Sequence, residues 1–314
     1  MIPRALTPAA FAARVAGADI QSFAGETMGT SWSLHAVAAP PAAEAGVQAA
    51  LDLVVAQMSQ WEADSHLSRF NRASAGEWHM VPAEFAHVVA AAIEVAESSG
   101  GAFDPCLGDL TERWGFGSGQ PAGAALPEAV IVRRAIEIDA SAPRIRRSEG
   151  ARLDLSGIAK GYGADLAADW LLGQGIRHFL IEVGGELRGE GIRPDGQPWW
   201  VDIEMPPSSS IPPWRLALHD LSVATSGNYR RGVMVDGQYY SHSFDPRTGR
   251  PIVNGVSSVT VVHRSCMMAD GWATALTVLG PDEAMALADA QQLAASMVVG
   301  DREFNSRAWR AMLT

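Results

Sequence analysis

Apolar residues recur along this chain with two different periods, one typical of helices and one typical of strands. Residues Ala42 to Gln60 carry their larger apolar side chains on one side, which predicts an amphipathic helix. A second helix is predicted from Pro82, a residue favoured at the first helical position, to Ser99, because Gly100-Gly101 is a usual helix stop. Further helices are predicted at about 158–173, 270–279 and 281–290, the last two closing the fold.

Short runs rich in β-branched and aromatic residues separate these helices and predict strands. Asp236-Gly237 between Arg231–Val235 and Gln238–Ser241 is the strongest hairpin signal. The other predicted strands are 31–39, 136–138, 152–155, 178–183, 200–204, 214–218, 223–225 and 256–263. Because strands and helices do not follow a repeating βαβ order, the sequence predicts an α+β fold with mixed or antiparallel sheets and flanking helices. A stretch rich in Gly, Pro and Ala at 117–127 predicts an exposed connection and a possible subdomain boundary.

Composition excludes several classes of protein. With 47% hydrophobic and 19% charged residues among 314, the chain is predicted to be globular. Gly, Pro or charged residues interrupt each apolar stretch before the roughly 18–20 residues that a bilayer requires, so no membrane span is predicted. A net charge of −11 repels nucleic acid phosphates, and nucleic acid is therefore not expected as a partner.

The cysteines and the start of the chain bear on location. Cys106 and Cys266 are far apart and form no CxxC motif, so neither a disulfide scaffold nor a zinc cluster is predicted. Pro8 and Arg14 interrupt what would be the apolar core of a signal peptide. We therefore expect a cytoplasmic protein.

The segment Leu153 to Gly163 joins an apolar run to the start of a predicted helix. A helix N-terminus presents unpaired N–H groups and the positive end of the helix dipole, so phosphate is its natural ligand. The alternative is structural: Asp154 and Ser156 cap the helix, while Gly161 and Gly163 permit close packing.

Asp270 and Thr274 are four residues apart and share one face of a predicted helix that begins near Asp270. A carboxylate and a hydroxyl both offer oxygen to a hard cation, and magnesium keeps its remaining positions for water and substrate phosphate. The pair therefore predicts a magnesium site, with Asp270 as a simple N-cap as the alternative.

Three further segments combine polar groups with turns. His242, in the turn Ser241–Gly249, is predicted at the mouth of a site, where a histidine can take a proton from a hydroxyl near neutral pH. As a lone observation, a turn histidine is more often structural or exposed. Phe103-Asp104 could face a planar ligand, although Phe103 could equally be core. Thr225-Ser226 could donate to phosphate or ribose, or form an ordinary turn.

In their order and residues, these segments resemble those of the ApbE family of FAD:protein FMN transferases over about residues 25–300. This leaves 1–24 as an N-terminal extension and 301–314 as a C-terminal tail. The matching segments are Thr27–Thr30, Met58–Trp61, Asp64-Ser65, Leu67–Asn71, Phe103–Pro105, Leu153–Gly163, Val183–Glu186, Thr225–Gly227, His242–Gly249 and Ala269–Thr274.

The resemblance implies an ApbE-like fold with FAD in a cleft, and Mg²⁺-dependent transfer of FMN from FAD to a Thr or Ser hydroxyl of an acceptor protein that carries a flavinylation motif. AMP is released. The catalytic residues would be His242 and Asp270, and the magnesium ligands Asp270, Thr274 and the carbonyl of Gly157. The residues implied for FAD binding are Met28, Trp61, Ala102, Phe103, Asp104, Asp154, Lys160, Thr225, Ser226 and Ser243.

Two positions depart from the family pattern, and two other functions stay open. Gly157 stands where some members have threonine, so only its carbonyl can be a ligand, and Cys106 replaces a threonine that often follows the Asp-Pro pair. The alternatives to transfer are hydrolysis of FAD to FMN and AMP, with water in place of the acceptor hydroxyl, and non-catalytic flavin binding.

Overall fold

The computed structural model describes residues 11–118, 135–207, 209–229, 232–235 and 237–313. Most of the predicted boundary at 117–127 lies outside these residues, as do Arg231 and Asp236 of the predicted hairpin. The division into domains therefore stays a prediction. The helices among the described residues are α1 (Ala42–Met58), α2 (His66–Arg72), α3 (Ala83–Ser98), α4 (Gly108–Arg113), α5 (Ala159–Gly173), α6 (Cys266–Leu279), α7 (Pro281–Ala290) and α8 (Arg307–Ala311).

The strands, in chain order, are β1 (Ile20–Thr27), β2 (Thr30–Val37), β3 (His79–Met80), β4 (Ile136–Ile138), β5 (Arg144–Arg147), β6 (Phe179–Val183), β7 (Glu186–Glu190), β8 (Trp199–Asp202), β9 (Arg215–Leu218), β10 (Leu221–Gly227), β11 (Gly232–Val235), β12 (Gln238–Ser241), β13 (Phe244–Asp245), β14 (Arg250–Pro251), β15 (Val256–His263), β16 (Ala294–Val299) and β17 (Arg302–Asn305). The central sheet has the order β1-β2-β6-β7-β10-β15-β16-β17, and every pair in it is antiparallel. The predicted α+β fold with antiparallel sheets and flanking helices is therefore confirmed.

The central sheet is covered on both faces because side chains alternate along each strand. On one face, Trp32 and Leu34 of β2 pack with Phe179 of β6 against α1 and α5. On the other face, the two-stranded sheet β8-β9 packs through Trp199 and Leu216 against β7, β10 and β15. The small sheets β3-β5-β4, β11-β12 and β13-β14 lie outside this sandwich.

The predicted strand Arg152–Leu155 is wrong, and side-chain hydrogen bonding explains the difference. Leu153 N donates to Asn71 Oδ1 at 2.8 Å, and Asn71 Nδ2 donates to Leu153 O at 2.9 Å. The amide of Asn71 thus takes the place of a neighbouring strand. Only an isolated bridge joins Arg152 to Leu107.

The central sheet also extends beyond the predicted strands at both ends of the chain. Strand β1 begins at Ile20, inside the segment interpreted as an extension. The helices at 270–290 do not close the fold, because β16 and β17 follow them and form the opposite edge. Each edge strand pairs with its neighbour in the chain across a short turn, β1 with β2 and β17 with β16. The polar residues within β1 and β17 weaken the strand pattern of their sequences.

Cys106 and Cys266 are both buried, and neither forms a disulfide. Burial raises the pKa of the Cys266 thiol well above its usual value. Among the helices formed by the described residues, none has the length and apolar character that a bilayer crossing requires.

Candidate active site

A cleft of about 1030 Å³ lies at the start of α5, beside α6 and the end of β10. Its volume is at the upper end of the range for small-molecule sites. The structure brings together all the site residues predicted from the sequence, because the cleft is lined by Met28, Trp61, Ala102, Phe103, Asp104, Asp154, Gly157, Lys160, Thr225, Ser226, His242, Ser243, Asp270 and Thr274.

No side chain of the turn before α5 caps this helix. The N-cap residue is Ile158, which makes no capping side-chain bond, and Asp154 Oδ1 instead accepts from Ser156 N at 2.9 Å within the turn. The interpretation of Asp154 and Ser156 as helix caps is therefore wrong. The N–H of Gly161 in the first turn of α5 donates instead to Asp270 Oδ2 at 3.0 Å.

Helices α5 and α6 cap one another through carboxylates. Asp165 of α5 accepts from the N–H groups of Cys266 and Met267, each at 3.0 Å, at the first turn of α6. The N-cap of α6 is Ser265, so this helix begins four residues before Asp270. The alternative interpretation, in which Asp270 is the N-cap of its own helix, is therefore wrong. The Asp270 carboxylate caps α5 instead. A carboxylate near the N-terminus of each helix also interacts favourably with the dipole of that helix.

Gly161 allows the two helices to approach closely enough for this exchange. A Cβ added at Gly161 would lie 2.3 Å from Cys266 O and 2.8 Å from Asp270 Cβ. Both atoms belong to α6 and neither is the end of a flexible side chain. Glycine is therefore required here by packing.

We expect Gly161→Ala to destabilise the protein by about 1–3 kcal/mol, because overpacking must separate α5 from α6. Gly173→Ala is the matched control, since an added Cβ at this other glycine of α5 would meet nothing within 4 Å. Thermal melts should show a lowered Tm for Gly161→Ala alone. An unchanged Tm would mean that the helices can move apart freely.

Three oxygen groups that could bind a metal lie where α6 passes the turn before α5. They are the Gly157 carbonyl, the Thr274 hydroxyl and the Asp270 carboxylate. Thr274 Oγ1 lies 3.4 Å from Gly157 O and 3.2 Å from Ser226 Oγ. Asp270 lies one turn earlier on the same helix face and is buried. A Cβ at Gly157 would come within 3.0 Å of Thr274 Oγ1, so glycine keeps this space open.

This donor set fits magnesium better than a transition metal. The described residues contain no group of three or more His, Cys, Asp or Glu side chains arranged to hold a metal. One carboxylate, one hydroxyl and one carbonyl are hard oxygen ligands, and they leave positions for water and substrate phosphate.

Glu186 is a cleft residue that the sequence-based site did not include. Its Oε1 accepts from Lys160 Nζ, while Oε2 is buried and has no hydrogen-bond partner among the described residues. Burial raises the pKa of Glu186 to about 7, against the opposing effect of Lys160. Burial also raises the pKa of Asp270. The Lys160 ammonium group interacts with the carboxylates of both Glu186 and Asp270. The sequence feature that could have identified Glu186 is its position directly after Gly184-Gly185, at the start of a strand.

The raised pKa of Glu186 predicts that metal-free protein loses stability as the pH increases. Between its usual value of 4.5 and about 7, folded Glu186 holds a proton that the unfolded chain has released. Unfolding therefore releases protons and becomes easier at higher pH. We expect the Tm in EDTA to fall between roughly pH 4.5 and 7.

Glu186→Gln should flatten this slope, although Asp270 contributes in the same sense. The control is Glu149→Gln, which removes an exposed carboxylate and should leave the slope unchanged. Equal slopes in all three proteins would contradict the assignment of the titration to Glu186.

Apolar side chains also line the cleft. Trp61 is 53% exposed at the rim, whereas Phe103 is only 4% exposed and belongs to the largest core cluster as well as to the cleft. Phe103 is therefore a core residue that also lines the cleft, and its contact with a planar ligand stays a prediction. Met28 adopts a positive φ of 49° in the turn between β1 and β2.

The turn that carries His242 is organised by a buried amide. Ser241 Oγ and Ser243 Oγ donate to Asn228 Oδ1 at 2.9 and 2.7 Å, on either side of His242. The imidazole packs edge-on against Phe116, with 6.2 Å between the ring centroids. His242 is therefore held at the cleft by the hydrogen bonds of its two flanking serines and by packing against Phe116.

Comparison with known proteins decides the family. The model of the ApbE family matches residues 28–297, which is most of the chain. The chain belongs to the ApbE family.

Individual members of the ApbE family agree in sequence and in structure. An FAD:protein FMN transferase of Vibrio cholerae serotype O1 is 38% identical over 310 residues, covering 92% of each chain. One from Haemophilus influenzae is 33% identical over 297 residues, covering 88% of this chain and 86% of the relative. The crystal structure of Pseudomonas stutzeri flavinyl transferase ApbE, apo form, superposes with a TM-score of 0.85 at 33% identity, covering 94% of this chain and 97% of that one. The resemblance to this enzyme family is therefore confirmed.

Proposed function

We propose that this ApbE-family protein is an FAD:protein FMN transferase, which moves FMN from FAD to a Thr or Ser hydroxyl of an acceptor protein and releases AMP. The observation that carries the proposal is the meeting of a helix N-terminus, three hard oxygen donors and a histidine in one cleft. The activity named for the relatives supports it.

In this proposal, the long cleft holds FAD in an extended form. Trp61 and Phe103 offer aromatic surface to the flavin or the adenine. Lys160 and the hydroxyls of Thr225 and Ser226 supply hydrogen-bond donors to the phosphates or ribose. The overall charge of −11 does not oppose binding, because the donors concentrate at one place.

The carbonyl of Gly157, the Asp270 carboxylate and the Thr274 hydroxyl would hold Mg²⁺. When bound there, Mg²⁺ would neutralise charge on the phosphoryl oxygens of the pyrophosphate. Asp165 and Gly161 contribute indirectly, since they fix α6 against α5 and thereby orient Asp270 and Thr274.

The proposed reaction is one in-line displacement at phosphorus. The acceptor hydroxyl oxygen attacks the phosphorus on the FMN side, and the bond from this phosphorus to the bridging oxygen breaks. AMP leaves with that oxygen. His242 takes the hydroxyl proton as the new phosphoester bond forms, a role that suits a histidine near neutral pH. Most of the remaining catalysis is positioning of the two groups.

One assay separates transfer from the alternatives. The protein is mixed with FAD, Mg²⁺ and a fragment that carries the motif Asp-Gly-x-Ser/Thr-Gly-Ala-Thr/Ser, then denatured, and flavin fluorescence on the fragment and free AMP are measured. Fluorescent fragment with AMP supports a transferase. AMP without labelled fragment identifies a hydrolase, and FAD retention without AMP identifies a binding protein.

The acceptor and the location belong to the same proposal. A cytoplasmic enzyme would modify soluble proteins or proteins that face the cytoplasm. Fractionation of the native host, with antibody detection of the protein in cytoplasmic and membrane fractions, tests the location.

A further inference from the structure

A groove continues from the cleft across the open part of the central sheet. Ser33, His35, Leu180 and Glu182 lie on the face of β2 and β6 that is opposite α1 and α5, and all four line the cleft. A second cavity of about 260 Å³ shares His35 and Leu180 with the cleft, and its other lining residues are Ile20, Arg193, Trp199 and Trp200. The two spaces are therefore adjacent on this face.

Strand β8 forms one wall of the groove. Trp199 and Trp200 line the small cavity, whereas Val201 to Glu204 line the cleft. At about 3.3 Å per residue, residues 199–204 span roughly 17 Å. A chain lying along β8 would thus run from the small cavity to the catalytic cleft.

Backbone groups on the groove side of β8 are available for pairing. Among the described residues, β8 pairs only with β9. Ile203 N donates to Trp214 O at 2.8 Å, so 203, 201 and 199 form the hydrogen-bonded pairs with β9. Trp200 and Asp202 must therefore direct their N–H and C=O groups to the edge of β8 opposite β9.

We propose that the acceptor protein docks by adding an extended segment to this edge of β8, with its hydroxyl residue carried into the cleft. The inference rests on the proposed transferase function, because only a polypeptide acceptor needs such a track. An added strand is recognised mainly through its main chain, which suits an enzyme that must accept a segment with small side chains.

Side chains along the groove fit such a segment. Trp200 is 39% exposed beside the small cavity and offers an aromatic surface to an apolar side chain. Nearer the cleft, Glu182 accepts from Gly185 N at 2.8 Å and Ser33 Oγ at 3.3 Å, and Asp202 pairs with Arg215. Both carboxylates already have partners within the protein. The main-chain groups of β8 would therefore make the specific contacts with the added segment.

Proline at position 202 tests the edge directly. Asp202→Pro removes the outward N–H but no bond to β9, and edge strands tolerate such a proline. Asp202→Ala is the matched control, because it removes the same side chain and keeps the N–H. With the motif-bearing fragment, we expect Asp202→Pro to raise the KM about fivefold or more, while Asp202→Ala stays near the parent. FAD binding, followed by flavin fluorescence, should be equal in all three proteins.

The outcomes separate this inference from the proposed function. If the parent labels the fragment and Asp202→Pro has an unchanged KM, or if both variants are equally impaired, docking on β8 is wrong and the transferase function stands. If the parent labels no fragment, both fail.

Hydrogen exchange on the parent protein provides a second test that needs no variant. A fragment whose acceptor hydroxyl residue is replaced by alanine should slow exchange of the Trp200 and Asp202 amides at saturation. Unchanged exchange there would overturn the inference, even if Asp202→Pro fails to fold.

Discussion

Asp270→Ala should lower flavin transfer at least about a hundredfold at a fixed, low magnesium concentration. The change deletes the one carboxylate of the proposed donor set, and the electrostatic contribution of a bound metal is worth several kcal/mol in such reactions. It also leaves the Gly161 N–H of α5 without its acceptor. A magnesium titration of the transfer rate, together with a thermal melt, measures the two effects separately.

Asp270→Asn distinguishes the metal from the helix cap. An amide oxygen can still accept from Gly161 N, so we expect a Tm closer to the parent but a magnesium requirement as high as that of the alanine variant. Asp169→Ala serves as the control, because its carboxylate is 67% exposed on α5 and should matter little. If Asp270→Ala needs no more magnesium than Asp169→Ala, Asp270 is not a metal ligand.

His242→Ala should slow transfer by about a hundred to ten thousand fold while FAD binding stays close to that of the parent. This is the range that a positioned general base contributes. The measurement pairs single-turnover labelling of the acceptor fragment with equilibrium binding of FAD.

His79→Ala controls for the loss of any imidazole, since His79 lies on the small sheet β3-β5-β4 and does not line the cleft. Equal loss of rate and of FAD affinity in His242→Ala would indicate a binding role. An unchanged rate would remove His242 from the mechanism.

The positions of most helices were predictable from local patterns, whereas contacts between distant segments were not. Helix α1 ends two residues before its predicted end at Gln60, and its start at Ala42 agrees. Helix α6 begins at Cys266, where Ser265 caps the N–H of Met268 and Asp165, about a hundred residues earlier, caps those of Cys266 and Met267. The N-cap signal of Ser265 was therefore available in the sequence, whereas the contribution of Asp165 depends on the packing of α5 against α6.

The same distinction applies to the cleft. Some predicted residues, such as Asp154, Asp270 and Thr274, lie in short motifs that place polar groups near the start of a helix. Others, such as Met28 and Trp61, came from the resemblance to the ApbE family. Glu186 was missed because its importance comes from burial against Lys160, which is 26 positions away. The outward-facing edge of β8 was missed for a related reason: only the register with β9 reveals which amides point away.

The burial of both cysteines makes this enzyme a convenient subject for site-specific labelling. Thiol reagents should reach neither Cys106 nor Cys266 in the native protein, and the raised pKa of Cys266 further suppresses its thiolate. A cysteine introduced at Trp200 would then carry a single dye, so that fluorescence from the rim could follow a target chain as it arrives and departs.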